Sequence, residues 1–159
     1  MPVTLRSLDA SDSTAARALA SAALADAPHA DPLLASLDAA IRSGSEEYRA
    51  LVARDGDRLA GVIVFGEIAG ARGAGRIYLV AVDANARGRG LGAALLHSAL
   101  SHLGARGARF VVIELPEEPR LASALRLAGR TGFFEEARVG DYVRDGVGLL
   151  VLRRNLGDD

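Results

Sequence analysis

Three glycines alternate with arginine and leucine in Arg87-Gly88-Arg89-Gly90-Leu91-Gly92. Glycines at this spacing let the backbone curl tightly, so that successive N–H groups face one concavity. The residues that follow place Leu91, Leu95, Ala99 and Leu103 at helical spacing, with Leu96 and Leu100 beside them and Gly104 at the end. The concavity therefore sits at a helix N-terminus, where orphan amides and the positive end of the dipole attract phosphate oxygens. Arg87 and Arg89 add charge where an anion would lie. The pattern predicts a pyrophosphate cradle.

The elements that position this loop follow from periodicity and punctuation. Upstream, Arg76 to Asp83 reads as a buried strand, apolar and rich in β-branched or aromatic residues. Val3 to Leu8 alternates as a first strand, and Thr14 to Ala27 is an alanine-rich helix closed by Pro28. Asp31 as N-cap and Pro32 at the first helical position open a second helix that runs to Arg42. Glu47 to Arg54 and Arg58 to Ile68 form a hairpin around Asp55-Gly56-Asp57, and residues 69–75 are a glycine-rich loop. After the cradle helix, Ala108 to Leu115 is a central strand, and Leu121, Leu125 and Ala128 mark a helix ending before Gly132. Phe133 to Val139 and Val147 to Arg153 close the chain as two strands turned by Asp145-Gly146. The order is β-α-α-β-β-β-α-β-α-β-β, one mixed α/β domain over 1–159 with no repeat and no linker.

Composition narrows the chemistry. The chain has 159 residues, half of them hydrophobic, and a formal net charge of −1, without the basic excess that nucleic-acid binding needs. All 19 basic residues are arginine, which excludes a Walker-type phosphate loop and a lysine Schiff base. Cysteine is absent, and with it disulfides, thiolate metal sites and cysteine nucleophiles. His29, His97 and His102 have no metal-ligand spacing, so no metal is expected. No apolar run reaches the length of a membrane span and the first residues lack an apolar leader segment, so a cytoplasmic location is expected.

The loop has other readings. Gly88-x-Gly90-x-x-Ala93 also fits a dinucleotide fingerprint, with Glu114 where a ribose-binding acid would stand. Against it, Asp83 to Arg87 intervene between strand and first glycine, and the residues after Glu114 hold one helix and a hairpin rather than further βα units. A plain glycine turn with two surface arginines is the other reading.

The stretch VAVDANARGRGLGAALL resembles the acetyl-CoA-binding motif of the GNAT N-acetyltransferases, Q/R-x-x-G-x-G/A. The strand FVVIELP, the helix after it, the Gly132-Phe133 pair and the closing strands fall where that family has them, so the resemblance spans the chain. It implies a GNAT-like fold in which the fourth and fifth strands splay apart around the pantetheine arm. The backbone of Val80, Ala81 and Val82 would pair with that arm as a strand does, and Arg87, Gly88, Arg89, Gly90, Leu91, Gly92 and Ala93 would hold the pyrophosphate. It implies direct transfer of an acetyl group from acetyl-CoA to a primary amine of a small molecule or peptide, with no metal and with a homodimer through the closing strands as an expectation. An acyl-CoA-binding sensor or structural module on the same fold is the alternative.

Acetyl transfer needs a neutral amine, a polarised carbonyl and a stabilised thiolate. A backbone N–H near Val82 serves the second need. The family's usual base position, at the start of the fourth strand, is Arg76; the tyrosine four residues before the Gly-Phe pair is Ala128; the asparagine seven before that is Leu121. Substitutes are expected from Glu114 at the end of the fifth strand, Glu67 at the end of the third and Tyr142 between the last two strands. Each also reads as an ordinary strand-end or hairpin side chain. His29 and Asp31 lie where this family shapes its acceptor pocket, and Tyr78 reads as core.

Overall fold

The computed structural model describes residues 2–25, 27 and 29–157. Its strands are β1 (Val3–Ser7), β2 (Arg49–Asp55), β3 (Arg58–Glu67), β4 (Ala74–Val82), β5 (Phe110–Pro116), β6 (Phe134–Arg144) and β7 (Val147–Asn155). Its α-helices are α1 (Ser13–Ala23), α2 (Ala30–Ser43), α3 (Leu91–Ala105) and α4 (Ala122–Arg130). The strands form one sheet in the order β1-β2-β3-β4-β5-β7-β6, and only the β4–β5 pair is parallel. The element order is the one the periodicity predicts.

β3 is the middle of the core because both its faces are apolar. Ile63 and Phe65 face α3, where they meet Leu95, Leu96, Ala99 and Leu103. Val62 and Val64 face the other way, against Ala16 and Ala20 of α1 and Leu37 and Ala40 of α2. Small residues on α1 and α2 let those helices sit close to the sheet. Truncating a fully buried side chain such as Phe65 to alanine would cost about 3–5 kcal/mol.

Element ends differ from the expectation where side chains and close approaches override local pattern. The first helix ends at Ala23, while Asp26 and Pro28, the latter read as its stop, lie outside the described residues. α2 begins at Ala30 with His29 in the capping position, so Asp31 and Pro32 lie within its first turn rather than at its cap. There Asp31 favours the dipole and Pro32 wastes no hydrogen bond. β2 begins at Arg49 because residues 46–48 bend over the end of β3 instead of pairing as a strand. Glu67 N–H donates to Glu46 C=O at 2.8 Å, and a Cβ on Gly66 would stand 1.9 Å from the Glu47 oxygen.

The closing hairpin is longer than its alternation suggests. Val139 pairs with Leu149 and Arg144 with Val147, so residues 140–143 bulge out within β6. Asp141 has φ 56, and its Oδ1 accepts from Gly146 N–H at 2.7 Å. Tyr142 therefore belongs to the bulge of β6, not to a separate loop, and it is 65% exposed.

Candidate active site

The cradle is built by a chain that stops being a strand and cannot yet be a helix. Asp83 ends β4 and caps a single 3-10 turn, its Oδ1 accepting from Asn85 N–H at 3.0 Å. That hydrogen bond, with Arg58 2.8 Å away, holds the Asp83 carboxyl below the usual carboxylate range. Gly88 and Gly90 then adopt φ of 78 and 77, a left-handed conformation that reverses the chain into α3. Among the described residues, none of the amides from Gly88 to Ala93 donates to a protein acceptor; the first amide of the helix that does is Ala94, to Gly90 C=O at 3.0 Å. No acidic side chain stands in the first turn of α3 to compete for them. Free amides at a helix N-terminus are donors of the kind that anions engage.

The two cradle arginines differ. Arg89 reaches back to the β2–β3 turn and pairs with Asp55 at 2.8 Å, which depresses the Asp55 carboxyl. Arg87 is exposed and forms no salt bridge among the described residues. Gly92 faces α4: a Cβ there would stand 3.2 Å from Leu127 Cδ2 and 4.0 Å from Val82 Cγ2.

β4 and β5 pair only from Ala74↔Phe110 to Ile77↔Ile113, and then part. The other edge of β4 stays on β3 as far as Gly61↔Val82. Asp83 N–H donates to Ala60 C=O at 2.9 Å, so alternation along the strand gives Ala81 to β3 and turns the N–H and C=O of Val80 and Val82 into the gap. Of the three residues expected there, two aim main-chain groups at the opening and Ala81 does not. The cause of the parting is also visible. Phe65 pairs with Ile77 and Val64 with Leu79, leaving Tyr78 as an extra residue at a bulge. The bulge puts Ile77 against the α3 side of the core while Tyr78 and Leu79 both pack on the α1–α2 side.

At the root of the gap, on the α1–α2 side, Arg76 and Glu114 meet. Nη2 donates to Oε2 at 2.9 Å, and the guanidinium lies 4.9 Å over the Tyr78 ring. Tyr78 stacks on Tyr48 at 5.0 Å, and burial raises its phenol above the usual range. At the far end of β5, Glu118 has a side chain only 5% exposed, held by Arg144 at 2.8 Å and Arg120 at 3.7 Å. His29 stands in the field of both Glu118 and Arg120. Burial lowers its pKa, and its Nδ1 is buried without a hydrogen-bond partner among the described residues.

The expected catalytic side chains are not all brought together. Glu114 lies at the splay. Glu67 lies on the α3 side, where Arg106 Nε reaches it at 3.4 Å and Arg106 also pairs with Glu46. It stands opposite Gly75, near the start of β4 and away from the cradle, because strand-end position alone does not say which end or which face. Tyr142 extends from the outer strand without a hydrogen bond among the described residues. Ala128 is buried in α4 at 2% exposure and brings no hydroxyl at that position. Tyr78 packs in the core as its sequence reading has it, though the bulge that carries it is not readable there, and Glu118 was not singled out by sequence. No group of three metal-ligating side chains exists among the described residues, and no helix among them is long and apolar enough to cross a membrane.

The model of the acetyltransferase (GNAT) family matches residues 15–133. Solved structures share the fold. A protein of the GNAT family from Desulfovibrio desulfuricans superposes with a TM-score of 0.87 at 23% identity, over 98% of this chain and 100% of that one. The yncA protein of Salmonella typhimurium, solved with its cofactor acetyl-CoA, gives 0.77 at 22% over 100% and 96%. The ribosomal-protein-S18-alanine N-acetyltransferase of Escherichia coli gives 0.78 at 19% over 99% and 96%. No curated protein matches the chain by sequence.

Proposed function

The chain belongs to the acetyltransferase (GNAT) family, and we propose that it moves an acetyl group from acetyl-CoA directly onto a primary amine of a small molecule or peptide. The observation that carries this reading is two sets of main-chain groups without protein partners among the described residues, those of Val80 and Val82 at the splay and the amides of Gly88 to Ala93 at the start of α3. These groups fit an extended amide-containing arm ending in a pyrophosphate. Bound acetyl-CoA would supply an acyl thioester: a C–N bond would form at its carbonyl as the C–S bond breaks, and the CoA thiolate would leave with the proton lost from the acylated nitrogen.

The chain's own residues divide the remaining work. Val82 N–H points into the gap, where it is placed to polarise a carbonyl. Glu114 is the carboxylate nearest the root of the splay and takes the proton from the acceptor ammonium. Its Oε1 has no protein donor among the described residues, whereas Oε2 is held by Arg76. Arg87 neutralises phosphate charge at the mouth of the cradle.

This reading takes residues 1–159 as one acetyltransferase domain, cytoplasmic and metal-free. It includes a homodimer through β6 and β7, supported by the exposure of nearly every residue of β6, an outer strand with one edge unpaired. A second reading, an acyl-CoA-binding module without turnover, is favoured by Arg76 and Ala128 at the positions where the family's usual base and acid stand. Steady-state assay of CoA release over a broad amine panel separates them: turnover abolished by Glu114→Gln supports the transferase, and acetyl-CoA binding without turnover of any amine supports the module.

A further inference from the structure

We infer that Arg76 and Glu114 form a recognition site for an α-amino carboxylate, Arg76 taking the acceptor's carboxylate and Glu114 its ammonium. The inference rests on the acetyltransferase reading and names its acceptor class.

Arg76 is the residue before the last β4–β5 pair and Glu114 the residue after it, so both project from one face at the place where the strands part. Their mutual contact uses one nitrogen and one oxygen. Glu114 Oε1, Arg76 Nη1 and the buried Arg76 Nε have no protein partner among the described residues. An arginine normally spends its five donors when it is packed, and a buried N–H left alone is costly. The guanidinium carbon lies 4.9 Å over the ring of Tyr78, itself backed by Tyr48, and that packing limits where the fork can lie. The side chains are 34% and 37% exposed, within reach of a ligand entering from the α1–α2 side.

An α-amino acid carries its two charges on neighbouring atoms, as this pair does. Bidentate binding of the carboxylate matches the arginine fork, and the ammonium then falls on Glu114, the group that must deprotonate it. A simple amine brings no partner for Arg76 and sets a second cation beside it. The arrangement therefore selects against monoamines as well as for amino acids.

The test is calorimetric titration of the protein, with and without CoA, using the twenty L-α-amino acids and the amines obtained by removing their carboxylates. At least one amino acid is expected to bind about 10- to 100-fold tighter than its decarboxylated counterpart, with the β-amino isomer between them. Arg76→Gln should collapse that ratio toward one, and Arg76→Lys, which keeps the charge but not the fork, should restore only part of it. Circular dichroism confirms that each variant is folded. Equal affinity for amine and amino acid, no binding by any amino acid, or a ratio that survives in Arg76→Gln overturns the inference. Binding of amino acids without acetylation upholds it and overturns the transferase reading. Acetylation of simple amines in preference to amino acids does the reverse.

Discussion

Ile77 is the last residue of β4 to pair with β5, opposite Ile113, and β4 runs on to Val82 with that edge bare. A sheet that leaves main-chain groups unpaired in its middle pays for them unless something else satisfies them. The extra residue Tyr78 explains how the strands are forced apart, and the cradle at residues 87–93 explains what lies at the other end of the opening.

The two cradle arginines should not be equivalent. Arg89 is committed to Asp55, whereas Arg87 is free to meet a phosphate. Arg87→Ala is expected to weaken acetyl-CoA binding about 3- to 10-fold and to reduce its salt dependence, and Arg89→Ala to do less. Calorimetry at two ionic strengths measures both. A larger loss from Arg89→Ala would contradict this assignment.

Glu114→Gln keeps the shape and the hydrogen bond from Arg76 but cannot accept a proton. It is expected to lower kcat about 10²- to 10⁴-fold with little change in acetyl-CoA affinity. Steady-state assay of CoA release measures it, and Glu67→Gln, on the opposite face, should leave kcat within about 3-fold of wild type.

Asp12 anchors the N-terminal half. Its side chain is fully buried, receives Arg6 at 2.7 Å and Arg54 at 3.1 Å, and closes a capping box by accepting from Asp9 N–H at 2.9 Å. The hydrogen bond from Arg6, opposed by burial, lowers its pKa below the ordinary 3.8. A carboxyl depressed in the folded state stabilises in full above its unfolded pKa, and that contribution is lost as pH falls through the folded one. Asp12→Ala should cost about 2–4 kcal/mol near neutral pH and much less in strong acid. Denaturant melts at both pH values check it; an equal cost at the two would contradict the ion-pair account.

Gly66 is the residue that lets residues 46–48 cross β3. Its added Cβ would meet backbone rather than a yielding side chain, so Gly66→Ala should cost about 2–4 kcal/mol. Gly90→Ala has open space, and only its positive φ opposes it, at about 1 kcal/mol. Thermal melts of the pair rank them, and the reverse order would refute the packing argument.

The order of elements was legible in the sequence because each element carries its own signal. Asp55-Gly56 turns a hairpin, Gly88 and Gly90 break a strand from a helix, and the leucines of α3 repeat on one face. What was illegible depends on partners distant in sequence. Glu114 is the better candidate of the two strand-end carboxylates already by sequence, because the fifth strand borders the expected gap, but only the register shows that Glu67 lies beside Arg106 on the other face. Tyr78 packs in the core as its sequence reading has it, but the bulge it makes has no local signature because the inserted residue is not glycine. The meeting of Arg76 with Glu114 requires knowing that β4 and β5 are parallel neighbours. His29, next to α2, and Glu118, just past β5, come within each other's field only through the tertiary fold.

The central claim is that the splay and the cradle hold acetyl-CoA. Calorimetry of acetyl-CoA on the wild type and on Gly90→Glu, at moderate salt, tests it most directly. Gly90→Glu places a carboxylate among the amides of the cradle and strains a residue at φ 77. The account predicts binding to the wild type that is lost in the variant while the fold persists. Equal binding by both proteins, or wild-type binding to a nicotinamide dinucleotide in place of acetyl-CoA, would contradict it.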